Sequence, residues 1–253
     1  MSRVSLMGME VDPVREHEAV DAILDAREEG RGGLVLTPNV EHLASFRSSP
    51  EVREAFHGAE LVVADGMPLV WASRLQRTPL PERVAGSDLI WSLSEAAAER
   101  GASVFLLGGA PGAADRASTV LREHAPGLDV AGVSCPHIEP GREGELDAAV
   151  EHVVEAQPDL VYLGLPMHKQ LRAMHRLREA VPQSWLLGLG ASVDFVAGDV
   201  QRAPAWMQRT GLEWTWRLSR EPGRLWRRYL VDGLPCALAL FAGALRERRA
   251  HAA

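Results

Sequence analysis

The chain has 253 residues, 46% of them hydrophobic and 24% charged, the size and composition of one large or two small soluble domains; disorder, collagen-like repeats and a small disulfide-stapled scaffold are excluded. Its 27 basic and 34 acidic residues give a net charge of −7, which argues against wrapping by nucleic acid, and no nucleic-acid partner is expected. The charge is uneven: residues 199–253 hold ten Arg against five acidic residues, a local +5 that leaves −12 on residues 1–198.

Met1–Val14 has no continuous apolar run of the signal-peptide kind, and the two cysteines, Cys135 and Cys236, stand far apart. A reduced cytoplasmic setting without a disulfide framework is therefore expected. From about residue 34 to 190, short β-branched or Leu-rich runs alternate with stretches of helical period, the pattern of a Rossmann-like α/β fold in which a parallel sheet is wrapped by crossover helices. The runs predict strands at Leu34–Leu36, Leu61–Ala64, Val104–Leu107, Asp129–Gly132, Leu160–Leu163 and Trp185–Leu187. The spacing between them predicts helices over Glu41–Ser48, Val52–His57, Leu69–Gln76, Leu89–Arg100, Ala113–His124, Glu143–Ala156 and Gln170–Ala180. Ser87 is placed to cap a helix entering at Asp88, Gly101 follows one ending at Arg100, and Pro50 opens another.

After Gly198 the character changes, because Arg202, Arg209, Arg217, Arg220, Arg224, Arg227 and Arg228 interleave with Trp206, Trp214, Trp216 and Trp226. Pro222 and Gly223 break the helical pattern, so residues 199–253 are expected to form a two-helix appendage to an α/β domain of residues 1–198. Arg217, Arg220, Arg224 and Arg227 recur at intervals of three or four and share one helical face if Pro222 bends the chain only modestly. Such a face suits an anionic membrane surface or a lipid diphosphate. Tyr229–Leu245 is apolar, but 17 residues interrupted by Asp232, Gly233 and Pro235 make a poor spanning helix, so it is expected to lie on a membrane rather than cross it.

In an open parallel sheet, ligands bind outside the carboxyl ends of the strands. The residues there are Thr37 and Asn39, Asp65 and Gly66, Gly108 and Gly109, Gly164, and Gly188 and Gly190. They suit a phosphate-bearing ligand, since glycines admit close backbone approach and helix N-termini offer N–H groups to an anion, although glycines also end strands in α/β proteins generally. Val193 stands where the third glycine of a dinucleotide fingerprint would follow Gly188 and Gly190, and neither a P-loop nor a G-x-S-x-G is present. Asp65, after Leu-Val-Val-Ala and before Gly66, sits on a sharp turn at the mouth of the sheet, either as a general base for a hydroxyl or as a turn-former. Arg83 suits a diphosphate or a solvated surface, and Lys169 is the only lysine in the chain. His137 and His168 lack metal-ligand spacing and read as structural or surface histidines; no metal and no other cofactor is expected. Cys135 near His137 pairs by adjacency alone.

Six blocks in order resemble the WecG/TagA/CpsF family of glycosyltransferases: Thr-Pro-Asn-Val-Glu-His (37–42), Ala-Asp-Gly-Met-Pro-Leu-Val (64–70), Arg-Val-Ala-Gly-Ser-Asp-Leu (83–89), Phe-Leu-Leu-Gly-Gly-Ala-Pro-Gly (105–112), Gly-Leu-Gly-Ala-Ser-Val-Asp-Phe-Val-Ala-Gly (188–198) and Arg-Ala-Pro-Ala-Trp-Met-Gln-Arg-Thr-Gly-Leu-Glu-Trp (202–214). The resemblance implies inverting, metal-independent transfer of an N-acetylmannosamine-type or related hexose from a UDP-sugar to a hydroxyl, on a polyprenyl-diphosphate-linked sugar of surface-polysaccharide synthesis. It implies Asp65 as catalytic base, with Thr37 and Asn39 beside it lining the sugar-nucleotide pocket. Arg83, Gly108, Gly109, Lys169, Gln170, Gly188, Gly190 and Asp194 would bind substrate, and the appendage, with Arg217, Arg220 and Arg224, would close the site and meet the inner face of the cell membrane. Around 164–171 the family pattern resembles G-x-G-x-P-K-Q-E, whereas this chain reads Gly-Leu-Pro-Met-His-Lys-Gln-Leu, so Pro166, His168 and Leu171 depart from it. A catalytically silent nucleotide-sugar-binding module and transfer to a soluble acceptor stand as alternatives, and a homo-oligomer is compatible with the sequence.

Overall fold

A computed structural model describes residues 2–136 and 143–250; His137 lies outside them. The chain opens with a hairpin of β1 (Val4–Leu6) and β2 (Met9–Val11) and continues through α1 (Glu16–Glu28), β3 (Gly33–Leu36), α2 (Val40–Ser48), α3 (Pro50–His57), β4 (Leu61–Val62), α4 (Met67–Leu75) and α5 (Gly86–Glu99). It then alternates β5 (Ser103–Gly108), α6 (Ala113–His124), β6 (Asp129–Ser134), α7 (Glu143–Ala156), β7 (Leu160–Gly164), α8 (Met167–Ala180) and β8 (Trp185–Gly188). The C-terminal part is helical: α9 (Ser192–Val196), α10 (Ala205–Arg209), α11 (Glu213–Arg220), α12 (Pro222–Trp226), a π-helical segment over Arg227–Gly233, and α13 (Leu234–Ala250).

Six strands form one sheet in the order β4-β3-β8-β7-β5-β6, every neighbouring pair parallel. Both faces are covered, which is why the strands read as continuous apolar runs rather than alternating ones. The pleat divides them between two cores. Val35, Val104, Leu106, Leu160, Tyr162 and Leu187 pack with α1, α5, α6 and α9, whereas Leu36, Phe105, Leu107, Val161, Leu163 and Leu186 pack with α2, α3, α4, α7, α8 and α13. The result is the Rossmann-like three-layer arrangement expected from the sequence, with all the expected strands and helices present.

The departures are local. Three-residue strands carry too little alternation to be predicted, so β1 and β2 are additions, and α1 adds a helix with buried Ala19, Val20, Ile23 and Leu24 at helical spacing. Ser87 is not the cap of α5: the helix starts at Gly86, after an extended Ala85 without a side-chain cap. Gly86 packs closely there: a Cβ would lie 3.2 Å from the Leu189 carbonyl oxygen, a tight contact.

The C-terminal segment differs most from expectation. It holds more than two helices, and Glu221, at φ −130° and ψ 56°, interrupts the helix between Arg220 and Pro222, so Arg217 and Arg220 stand on a different helix from Arg224 and Arg227 rather than on one continuous run. Asp232 and Gly233 do not end the next helix, because the π-helical turn absorbs them. Helix consequently runs from Arg227 to Arg249, 23 residues with an 18-residue window of mean hydropathy 1.3, long and apolar enough by length and composition to cross a membrane. Its Cys236, Leu240 and Ala244 are buried in the core beside α2 and α4, so one face is taken by the protein itself.

Candidate active site

All the strand ends singled out in the sequence gather on the carboxyl edge of the sheet. Asp65 follows β4, and its backbone N–H donates to the Pro38 carbonyl at 2.9 Å, pinning the turn to the end of β3. Thr37 is buried and its hydroxyl donates to the Gly188 carbonyl at 2.7 Å, tying β3 to β8. Asn39 caps α2, its side-chain oxygen accepting from the backbone of Glu41 at 2.9 Å and of His42 at 3.2 Å. These two residues hold the floor and rim on which Asp65 stands.

The glycines have two kinds of role. A Cβ on Gly108 (φ +113°) would lie 2.6 Å from the Gly164 carbonyl oxygen, and one on Gly188 would lie 2.2 Å from Nε2 of the buried Gln170, so both are demanded by the protein's own packing. Gly190 (φ +55°) faces open space at the end of β8. Beyond it a cleft of about 300 Å³ opens, its wall including Gly109, Cys135, Gly164, Pro166, Lys169 and Asp194. The Asp194 carboxylate accepts from the Ala110 N–H at 2.7 Å, and the Cys135 thiol donates to the Gly108 carbonyl at 3.2 Å, so both side chains shape the loop after β5. His168 is exposed at the start of α8.

At the other end of the edge stands a cluster of charges. Arg83 lies 2.9 Å from Asp88, 3.4 Å from Glu213 and 4.0 Å from Asp65. Arg202 lies 2.6 Å from Asp88 and 3.8 Å from Glu213, and its Nε and Nη2, both buried, have no hydrogen-bond partner. The Asp65 side chain is 29% exposed, yet burial pushes its carboxyl up to about 7; Arg83 and Arg202 pull it down, while Glu213 and Asp88 push it further up. A carboxyl poised near neutrality without a close hydrogen-bonded cation is what a general base requires.

The C-terminal segment supplies part of this cluster. Gly211 (φ +69°) brings the turn before α11 so close to α4 that a Cβ there would lie 2.8 Å from Met67 Cβ and from the Trp71 ring. Two residues later Glu213 enters beside Arg83. Arg217 stacks over Phe195 at 5.5 Å and Arg220 over Trp216 at 4.8 Å, the latter also donating to Gln201 at 2.7 Å, so both guanidinium groups lie against the protein. Arg224 lies on α12, its side chain outside what the structure describes. Arg228 pairs with Glu41, and His42 beside them is held down to about 4 by burial and by Arg228.

Asp88, Arg202 and Glu213 are not among the site residues expected from the sequence. Glu213 did carry a signal, being the single acidic residue between Val200 and Arg220 in an Arg-rich stretch. Among the described residues no group of three His, Cys, Asp or Glu side chains is placed to hold a metal ion.

A family model described as "Glycosyl transferase WecG/TagA/CpsF family" matches residues 4–250. A protein of Bacillus spizizenii named N-acetylglucosaminyldiphosphoundecaprenol N-acetyl-beta-D-mannosaminyltransferase is 29% identical over 231 residues, 88% of each chain. A Bacillus subtilis protein of the same name is 28% identical over 199 residues, 79% of this chain and 75% of its own.

Proposed function

The chain belongs to the WecG/TagA/CpsF family of glycosyl transferases, and from that premise we propose that it moves an N-acetylmannosamine-type hexose from a UDP-sugar to a hydroxyl of a polyprenyl-diphosphate-linked sugar. The observation that carries this reading is the Asp65 carboxyl, raised to about 7 at the mouth of the sheet. Asp65 takes the acceptor hydroxyl proton as the oxygen attacks the anomeric carbon. The β-mannosaminyl product in the relatives' name requires a single inverting displacement when the donor is α-linked.

The strand order supports one way of laying out the donor. The cleft lies at the ends of β7 and β5, three and four strand spacings, about 14 to 19 Å, from the end of β4. The nucleotide occupies the cleft beside Lys169 and Asp194, the diphosphate crosses open Gly190, and the sugar reaches Asp65. Arg83 and the N–H groups opening α6 and α8 offset the charge of the departing diphosphate, so no metal is required in this reading. Chelator accordingly leaves transfer unchanged; loss of activity in EDTA restored by Mg²⁺ or Mn²⁺ refutes that part.

The C-terminal helix supports a membrane seat as part of this reading. Leu230, Val231, Leu234 and Leu245 are exposed and Leu238 is 63% exposed, an apolar stripe suited to a peripheral seat on the membrane that carries the acceptor.

The test is a thermal-shift comparison of UDP-, GDP- and dTDP-sugars followed by a transfer assay with UDP-N-acetylmannosamine and an N-acetylglucosaminyl diphosphate lipid. A bound donor at a hundred times its dissociation constant adds about 2.7 kcal/mol. Stabilisation by UDP ligands together with turnover is expected. Binding without turnover of any donor identifies a silent binding module instead, and turnover only on a water-soluble acceptor removes the lipid.

A further inference from the structure

The cluster around Arg83 contains three carboxylates and two guanidinium groups, and its bonds are shared unequally. Asp88 takes both short contacts, 2.9 Å from Arg83 and 2.6 Å from Arg202, whereas Asp65 receives no cation nearer than 4.0 Å. Arg83 is held in that position by a fork, with Asp88 on one terminal nitrogen and Glu213 at 3.4 Å on the other, the same nitrogen that faces Asp65. Glu213 is the only member of the fork carried by the C-terminal segment, and the tight turn at Gly211 against Met67 and Trp71 sets its position.

Building on the reading of Asp65 as the base, we propose that Glu213 is a positioning residue for the transfer: docked with the C-terminal segment, it competes with Asp65 for the Arg83 guanidinium, keeps the two out of a direct ion pair, and so leaves Asp65 free to accept a proton. Without Glu213 the cluster changes from one excess negative charge to balance, and the nitrogen of Arg83 that it held turns to Asp65. Both changes favour the ionised but ion-paired carboxylate, a weaker base. Glu213 accepts a hydrogen bond from Arg83 at 3.4 Å and none from the buried Nε of Arg202 at 3.8 Å, so its closer tie is to the guanidinium that faces Asp65. The proton on Asp65 is also influenced from the sides of the cluster by Asp88 on α5 and Arg202 before α10, while Glu16 on α1, with Glu82 beside it, faces Arg83 and Asp88 from behind. Arg202 also enters with the C-terminal segment and pulls the Asp65 carboxyl down, so of the two charges the segment brings to the cluster Glu213 is the one that pushes it up.

The test uses the full chain and two readouts: the pH titration of the Asp65 carboxyl carbon by NMR, assigned with Asp65→Asn, and the acid limb of kcat/KM with UDP-N-acetylmannosamine and an N-acetylglucosaminyl diphosphate lipid. Glu213→Gln is expected to lower both the Asp65 midpoint and the acid limb by about one pH unit and to reduce limiting turnover several-fold. Glu213→Asp, which keeps the charge, is expected to retain most of the wild-type midpoint. An unmoved Asp65 midpoint in a folded Glu213→Gln protein, or equal shifts in both variants, overturns the proposal. If the NMR midpoint falls while the acid limb stays in place, Asp65 is not the base; the electrostatic coupling then stands and the catalytic reading fails.

Discussion

At the scale of single residues, the proposed function turns on the carboxyl of Asp65. With its titration raised to about 7, kcat/KM should climb as pH rises through neutrality and be lost below it, since only the ionised form accepts a proton. Asp65→Asn should keep donor affinity within a few-fold while lowering turnover by about 10² to 10⁴, the usual cost of removing a general base; near-wild-type turnover would assign the base elsewhere. The same group costs stability. Its native value lies above the unfolded value of 3.8, so the native state binds more protons between about 4 and 7, and the contribution is lost as pH rises through 7. His42, held down to about 4, acts in the opposite sense between 4 and 6.5. A comparison at pH 8 is therefore free of both slopes, and there Asp65→Asn should melt above wild type, as expected where a site trades stability for function. A lower melting temperature at that pH contradicts the burial argument.

The elements show why residues of one type at the sheet edge do different work. Gly108 meets backbone, so Gly108→Ala drives a Cβ to 2.6 Å from a carbonyl oxygen at φ +113° and should cost more than about 3 kcal/mol in urea unfolding. Gly190 meets nothing, so Gly190→Ala should cost about 1 kcal/mol for its left-handed φ alone while raising the donor KM sharply if the diphosphate crosses there. Equal stability losses in the two variants would remove the distinction. Thr37→Val and Asn39→Ala bear on the same floor. The first deprives a buried carbonyl of its donor and the second removes a helix cap, each worth about 1 to 2 kcal/mol, so reduced activity in either must be measured beside its stability.

For the whole molecule, the proposed membrane seat depends on how the charged cluster at the sheet edge and the apolar C-terminal helix are arranged. Arg217, Arg220 and Arg228 are engaged by Phe195, Trp216 and Glu41, so the basic residues of the segment serve the protein first. Attachment should then rest mainly on the exposed leucines. Substituting Leu230, Leu234 and Leu238 together by Ser should reduce co-sedimentation with liposomes at least tenfold and leave transfer to a water-soluble acceptor intact, because none of the three touches the charge cluster. Raising salt should weaken binding less than those substitutions do. A binding loss that follows salt alone would restore the arginine face as the anchor.

The alternation of apolar runs and helical periods from residue 34 onward was enough to establish the parallel sheet, because strands buried on both faces and helices buried on one leave different periods in a sequence. Strand ends followed by Asp65, Gly108, Gly164 and Gly188 marked the carboxyl edge, where the candidate site lies, for the same local reason. The family resemblance extended that reading to Asp65 as base. What the sequence left undecided was set by contacts between residues far apart in the chain. A π turn absorbs Asp232 and Gly233, and Arg217 turns onto Phe195 instead of outward. Arg202 and Glu213 join Arg83, Asp88 and Asp65 only because the C-terminal segment folds back on the domain, with Gly211 against Met67 and Trp71, and electrostatic coupling depends on that separation in space, not on separation along the chain.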